Sequence, residues 1–224
     1  MVNYERNEAA PDCLRSEQQK ANGDYKCGDV LQRLQRIFHN KCYICELEAP
    51  TSLNVEHFRP HKGDKQLKFA WDNLFLACVH CNNTKLAKEQ FNDILDCTNE
   101  DHKVDEWIDY HIDPWPKEKV QITPLQENQR VHNTAALLDL VYNGHTPLKI
   151  LESSNLREAL LKEIRCFQND LFEYYDSTNQ DEDKIMYKAR IHRQLRNSSP
   201  FAAFKRWIVR KHASLLSDFS NCLG

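Results

Sequence analysis

The stretch from position 42 to 88 reads CYICELEAPTSLNVEHFRPHKGDKQLKFAWDNLFLACVHCNNTKLAK. It begins and ends on Cys-x-x-Cys pairs, Cys42/Cys45 and Cys78/Cys81. Each pair offers two thiolates from a tight turn. Together they supply the four soft ligands of a closed tetrahedral zinc site. The 32 residues from Glu46 to Ala77 exceed what a plain zinc ribbon holds, so the insert is expected to carry function.

Hydrolysis of a phosphodiester needs a base for water, a cation for the developing charge and a positioning group. Glu56-His57 places a carboxylate beside an imidazole. Strand neighbours face opposite ways, but a turn at the strand end would bring both into one cleft. His57 ionises near physiological pH and suits the base. Glu56 and Asn82 offer oxygens to a hard cation, Mg²⁺ or Mn²⁺. Asn73 is expected to hold the His57 ring or its loop. Lys85, one helical turn beyond Asn82, and Arg59 are the candidate phosphate contacts. Asn82 would also suit a helix N-cap, and His80, inside the second knuckle, is read as solvent-facing and not as a ligand.

Cys-x-x-Cys, Glu-His, Asn, then Cys-x-x-Cys-Asn-x-x-Lys resembles the HNH endonuclease superfamily, whose three motif positions fall on His57, Asn73 and Asn82. The last departs from the family's name by being Asn. Val55-Glu56-His57-Phe58-Arg59-Pro60, Ala70-Trp71-Asp72-Asn73-Leu74 and Cys81-Asn82-Asn83 are more narrowly similar to the HNH subunit of Septu and retron anti-phage systems, the PtuB family. The resemblance implies a nucleic-acid substrate, with DNA ahead of RNA, and a controlling PtuA-like ATPase partner. A stand-alone restriction-type nuclease and a non-catalytic zinc module remain the alternatives.

Outward from this stretch, the chain is expected to be α+β: a zinc-stapled ββα-metal module (41–92) in a mostly helical chain, between an arm with one helix (1–40) and a helical region (93–224). The arm is polar, with a short helix near Leu14 to Lys20. Asp29 caps a helix to about His39, where Val30, Leu31, Leu34, Ile37 and Phe38 recur at helical spacing. Within the insert, Ser52 to Phe58 alternates as a strand, a basic loop follows, and a helix runs from Asn82 to Gln90. Thr98 to Glu118 reads as an acidic linker bearing Trp107, Tyr110, Pro114, Trp115 and Pro116. Gln121 to Pro124 is a possible strand. Helices follow from Glu127 to Tyr142 with an αL cap at Asn143-Gly144, from Asn155, from Asp181 to Leu195, and from Ser199-Pro200.

The 224 residues hold nine cysteines, 41% hydrophobic and 28% charged residues, and a net charge of −3. Cys13, Cys27, Cys97, Cys166 and Cys222 lack partner spacing and read as small buried hydrophobes. No stretch is apolar enough for a signal peptide or a membrane span, so the expected location is the cytoplasm. The segment from Lys184 to His212 contains no acid and nine Lys or Arg residues, a possible phosphate-tracking face.

Overall fold

The computed structural model describes residues 1–115 and 118–223. Helices α1 (Asp12–Gln19) and α2 (Val30–Ile37) lead to the first knuckle. The central module follows as β1 (Leu53–His57), α3 (Lys65–Phe69), β2 (Leu74–Cys78) and α4 (Val79–Leu86). A second hairpin, β3 (Ile108–Ile112) and β4 (Val120–Pro124), precedes α5 (Gln129–Asn143), α6 (Pro147–Tyr175), α7 (Asp181–Gln194), α8 (Ala202–Lys211) and α9 (Ala213–Phe219). Both hairpins are antiparallel: β1 pairs β2 from Leu53↔Cys78 to His57↔Leu74, and β3 pairs β4 from Ile108↔Pro124 to Ile112↔Val120. No helix among the described residues is long and apolar enough to cross a membrane.

Composition explains the module. All five residues of β2 (Leu74, Phe75, Leu76, Ala77, Cys78) are buried, because β1 covers one side and helices the others. Phe75 stacks on Phe58 at 4.8 Å and meets Tyr43 edge-on at 4.9 Å. Such pairs add to the area they bury. On α2, Val30, Leu34 and Ile37 form the inner stripe. One apolar cluster runs from Met1 through the knuckles to Phe204 on α8.

Several expectations change. The amino-terminal arm is not a free polar tail. Met1, Val2 and Tyr4 are buried, Tyr4 N donates to Cys97 O at 2.8 Å, and the terminal ammonium lies 3.0 Å from buried Glu46. Cys13 and Cys27 are joined in a disulfide with Cα atoms 6.0 Å apart, so they are not isolated buried thiols. The loop between them, which bears half-buried Tyr25, brings them together, and spacing alone does not reveal this. Cys166 is exposed and Cys222 half-buried. Helix α4 starts at Val79, ahead of the expected Asn82. The basic loop contains α3, capped by Asp64, whose Oδ1 accepts from Gln66 N and Leu67 N.

Helix α6 begins at Pro147, eight residues before the expected Asn155. Thr146 caps it, and Pro147 takes the first helical position, where its missing N–H costs nothing. Gly144 has φ 70° and ψ 167°, outside the αL well; a Cβ there would sit 2.5 Å from Ile150 N. The last expected helix is broken at His212 into α8 and α9.

The acidic linker and the basic carboxy-terminal segment turn out to be partners. The linker contains β3, and its Asp105 is buried against Arg206 at 3.1 Å and Arg210 at 3.0 Å. Lys211 pairs with Asp109 at 2.8 Å, Lys205 with Glu163 at 2.8 Å and Arg190 with Asp170 at 2.9 Å. These five cations are engaged internally, which removes much of the expected phosphate-tracking face. Pro116 lies outside the described residues.

Truncating one side of a buried ion pair strands the other charge, at a cost of about 3–5 kcal/mol. Asp105→Ala is therefore expected to lower unfolding free energy by about that amount, measured by denaturant titration. Substitution of exposed Arg196, which has no ion-pair partner among the described residues, is the control and should change it by under about 0.5 kcal/mol.

Candidate active site

The sulfurs of Cys42, Cys45, Cys78 and Cys81 all lie within 4.8 Å of one another, and all four residues are buried. Zinc–sulfur bonds of about 2.3 Å in a tetrahedron put sulfurs about 3.8 Å apart; Cys45 and Cys78 stand at 4.0 Å. The first pair sits in a turn closed by Glu46 N donating to Cys42 O at 2.9 Å, with Glu46 at φ 59°. The second sits at the start of α4, where positions three apart share a face. Burial pushes the Cys45 and Cys81 thiols up. Four thiolates crowded into an apolar site need a divalent cation to balance them, so the donor set fits a structural zinc. Bound there, zinc would clamp both ends of the insert without reacting.

The helical region braces this clamp. Tyr142 on α5 donates its hydroxyl to Cys45 O at 2.8 Å. His80 does not face solvent: one ring nitrogen is 2.6 Å from Glu152 and the other 2.8 Å from Val141 O. It ties the knuckle helix to α5 and α6.

The strand alternation survives through His57, because pairing with β2 continues to His57↔Leu74. Glu56 and His57 therefore face different surroundings instead of sharing one cleft. Glu56 is buried; Tyr43 OH donates to one oxygen, and Lys85 Nζ lies 3.4 Å from the other. Burial pushes its carboxyl up, while Lys85 and Tyr43 pull it back. Lys85 also donates to His57 O at 3.1 Å and Phe58 O at 2.7 Å. It is thus a buried strut between α4 and β1 and not a phosphate contact, correcting the expectation.

His57 is half-buried on the opposite side. Its Nε2 lies 3.0 Å from Lys68 O, Tyr25 packs on its ring at 4.4 Å, and His61 meets it edge-on at 4.8 Å. A carbonyl only accepts, so Nε2 carries the proton and Nδ1 keeps its lone pair. Nδ1 has no partner among the described residues and is not sealed from solvent. Burial holds the His57 imidazole below its usual pKa, opposed by the Lys68 carbonyl.

Asn73, 1% exposed, holds the loop and does not touch the ring. Its Oδ1 accepts from Arg59 N at 2.8 Å; its Nδ2 donates to Arg59 O at 2.9 Å and Leu67 O at 3.1 Å. The Arg59 side chain is exposed beside this anchored backbone. Asn82 is half-buried inside α4, three residues from Lys85, with Cys78 at the helix N-cap. Tyr25, His61 and Lys68 were not singled out for this site by sequence. Tyr25 arrives from the disulfide-closed loop, and no local pattern marks it.

A catalytic cation does not fit at Glu56 in this arrangement. Mg²⁺ or Mn²⁺ requires open oxygen ligands and space for water. Both Glu56 oxygens are engaged, and an ammonium beside them would repel the ion.

Residues 42–88 match the family described as HNH endonuclease. The matched span begins at the first zinc-ligand candidate and ends two residues past α4. It supports a nuclease of the HNH type and nucleic acid as the substrate class. No curated protein matches the chain.

Structural zinc contributes about 10–16 kcal/mol in isolated zinc modules. Cys78→Ser is expected to lose the metal, measured as zinc released per chain, and to lose β1–β2 amide protection in hydrogen exchange. His57→Ala should keep both; equal zinc retention in Cys78→Ser would remove the clamp assignment.

Proposed function

We propose that this protein is an HNH-type nuclease hydrolysing phosphodiester bonds, with His57 as general base. One observation carries the reading: the Lys68 carbonyl fixes the His57 tautomer and leaves Nδ1 as a solvent-reaching acceptor. Nδ1 takes a proton from water, and the resulting hydroxide attacks phosphorus. The neutral ring favoured by burial is the competent form. Asn73 keeps Arg59 and the loop in register, so exposed Arg59, Lys62 and Lys65 can meet phosphate oxygens.

DNA stands ahead of RNA as the substrate. The resemblance of 55–60, 70–74 and 81–83 to Septu-type subunits supports the finer reading of an anti-phage effector, working in the cytoplasm with an ATPase partner. Co-purification with an ATPase tests the partner; cleavage of site-specific DNA by the chain alone would favour a restriction-type role.

General bases contribute about 10²–10⁴-fold to rate. His57→Ala is expected to lose that factor in plasmid cleavage while retaining zinc. Protonation removes the base, so activity should fall as pH drops. Because the pKa is lowered from 6.5, the acid midpoint of kcat/KM should lie below 6.5. A midpoint above 7, or full activity in His57→Ala, would falsify the assignment.

A further inference from the structure

We infer that the Cys13–Cys27 disulfide is a thiol–disulfide exchange site, opened by a dithiol reductant, and that its oxidised state holds one wall of the His57 site in place. The second half of this inference rests on the nuclease reading and names how that site is controlled.

The disulfide closes the loop from 13 to 27, and that loop packs on the residues that orient His57. Tyr25 lies on the His57 ring at 4.4 Å. Gly23 O accepts from Lys68 Nζ at 2.9 Å, while Lys68 O accepts from His57 Nε2 at 3.0 Å. Lys68 thus joins the loop to the imidazole through a single residue. Gln18 Nε2 donates to Gln66 Oε1 at 2.9 Å, which ties α1 to α3 as well. Gly23 is buried, and a Cβ there would stand 1.9 Å from Glu17 O and 3.1 Å from the Phe69 ring. Loop and α3 therefore meet with no room between them.

Little besides the cross-link orders this loop. No helix or strand lies between Gln19 and Val30. From 13 to 27 only Leu14 and Gly23 are buried. A segment with so few buried contacts opens locally once its closure is released.

The bond is within reach of a reagent. Both cysteines are half-buried. Gly28 is exposed at φ 50°, and a Cβ on it would come 3.0 Å from Cys13 Sγ, so the bare glycine leaves that sulfur uncovered. The same chain needs reduced sulfur elsewhere. The zinc clamp binds thiolates, and Cys97, Cys166 and Cys222 are free. Surroundings that keep those sulfurs reduced also reach an accessible disulfide, and accessible disulfides are the exchangeable ones.

Exchange balances with a dithiol alone. One thiolate of the reductant attacks Cys13 Sγ, the Cys13–Cys27 bond breaks, and Cys27 leaves as a thiolate. The second thiol of the reductant then displaces Cys13, and the reductant departs as its own disulfide. The two protons lost by the reductant end on Cys13 and Cys27. Without the cross-link the loop lifts, Tyr25 leaves the ring and Lys68 loses Gly23 O. His57 then loses its orientation, and oxidation by the reverse route restores it.

The zinc-loaded full chain, equilibrated with dithiothreitol at varied ratios to its oxidised form, tests both halves. Iodoacetamide quenching and peptide mass spectrometry read which cysteines are free. Cys13 and Cys27 are expected to take label while zinc stays bound. If they stay unlabelled until zinc is lost, the bond is a fixed cross-link and the exchange site falls. In the reduced protein the α3 amides should exchange with solvent about 10-fold faster or more, with β1–β2 unchanged. Unchanged α3 exchange would overturn the coupling to the His57 wall. Plasmid cleavage should drop about 10-fold or more on reduction, since a misplaced base costs rate. The double variant Cys13→Ser with Cys27→Ser should show the reduced rate under both conditions; the oxidised rate would overturn the control. Tyr25→Ala should lower kcat with zinc retained, and Tyr25→Phe, which keeps the ring, should restore it. Full kcat in Tyr25→Ala would remove the positioning role. If the oxidised wild type cleaves nothing, the nuclease reading falls, while labelling and hydrogen exchange still decide whether the bond opens and frees α3.

Discussion

Four cysteine sulfurs from two distant turns must share one buried site, and the rest of the protein is built around that demand. Thiols can be buried cheaply, but thiolates cannot, unless a cation compensates them. The clamp fixes where β1 begins and where β2 ends, because Cys78 is both the last residue of the strand and the N-cap of α4. The insert then has little freedom except to fold back as a hairpin. The helices beyond serve the same end. Tyr142 holds the Cys45 carbonyl, and His80 bridges the second knuckle to α5 and α6.

Within the insert, one strand separates two kinds of polar chemistry. Glu56 faces inward and joins Tyr43 and Lys85 in a buried network that locks α4 onto β1. His57 faces the loop side, where only backbone carbonyls and aromatic rings meet it. The inward network is buried; the outward pair is half-buried and reaches solvent. The same alternation that makes a half-buried strand thus keeps a buried carboxylate apart from a solvent-reaching imidazole. A backbone carbonyl, not a charged side chain, sets the proton position on His57. A carbonyl cannot change its acceptor sense with pH, so the tautomer is fixed by the fold.

Charge along the chain follows the same logic. The net charge of −3 conceals an acidic segment and a basic one. Folded, Asp105 and Asp109 receive Arg206, Arg210 and Lys211, so much of the apparent basic surface is internal packing. The basic residues left exposed near His57 are those of the insert, Arg59, Lys62 and Lys65.

The sequence alone determined the local and the chemically obligatory. Cys-x-x-Cys spacing marks a metal turn, since two thiolates three residues apart can bind one ion only in a few backbone shapes. The alternation of 53–57 and the periodicity of α2 give their elements, and the family match to 42–88 falls on the zinc-stapled span. Helix α6 starts where Thr146 caps and Pro147 takes the first helical position, ahead of the start expected at Asn155. Side-chain destination was not legible. Lys85 could reach solvent or core, and only the closing of α4 on β1 sends it inward. Cys13 and Cys27, Tyr25 against His57, and the pairing of Asp105 with Arg206 all join residues far apart in the chain. Such contacts depend on how elements dock, and docking is decided by the whole core at once. For the same reason the sequence could name Glu56 and His57 as neighbours, while the tertiary structure alone gave them different tasks.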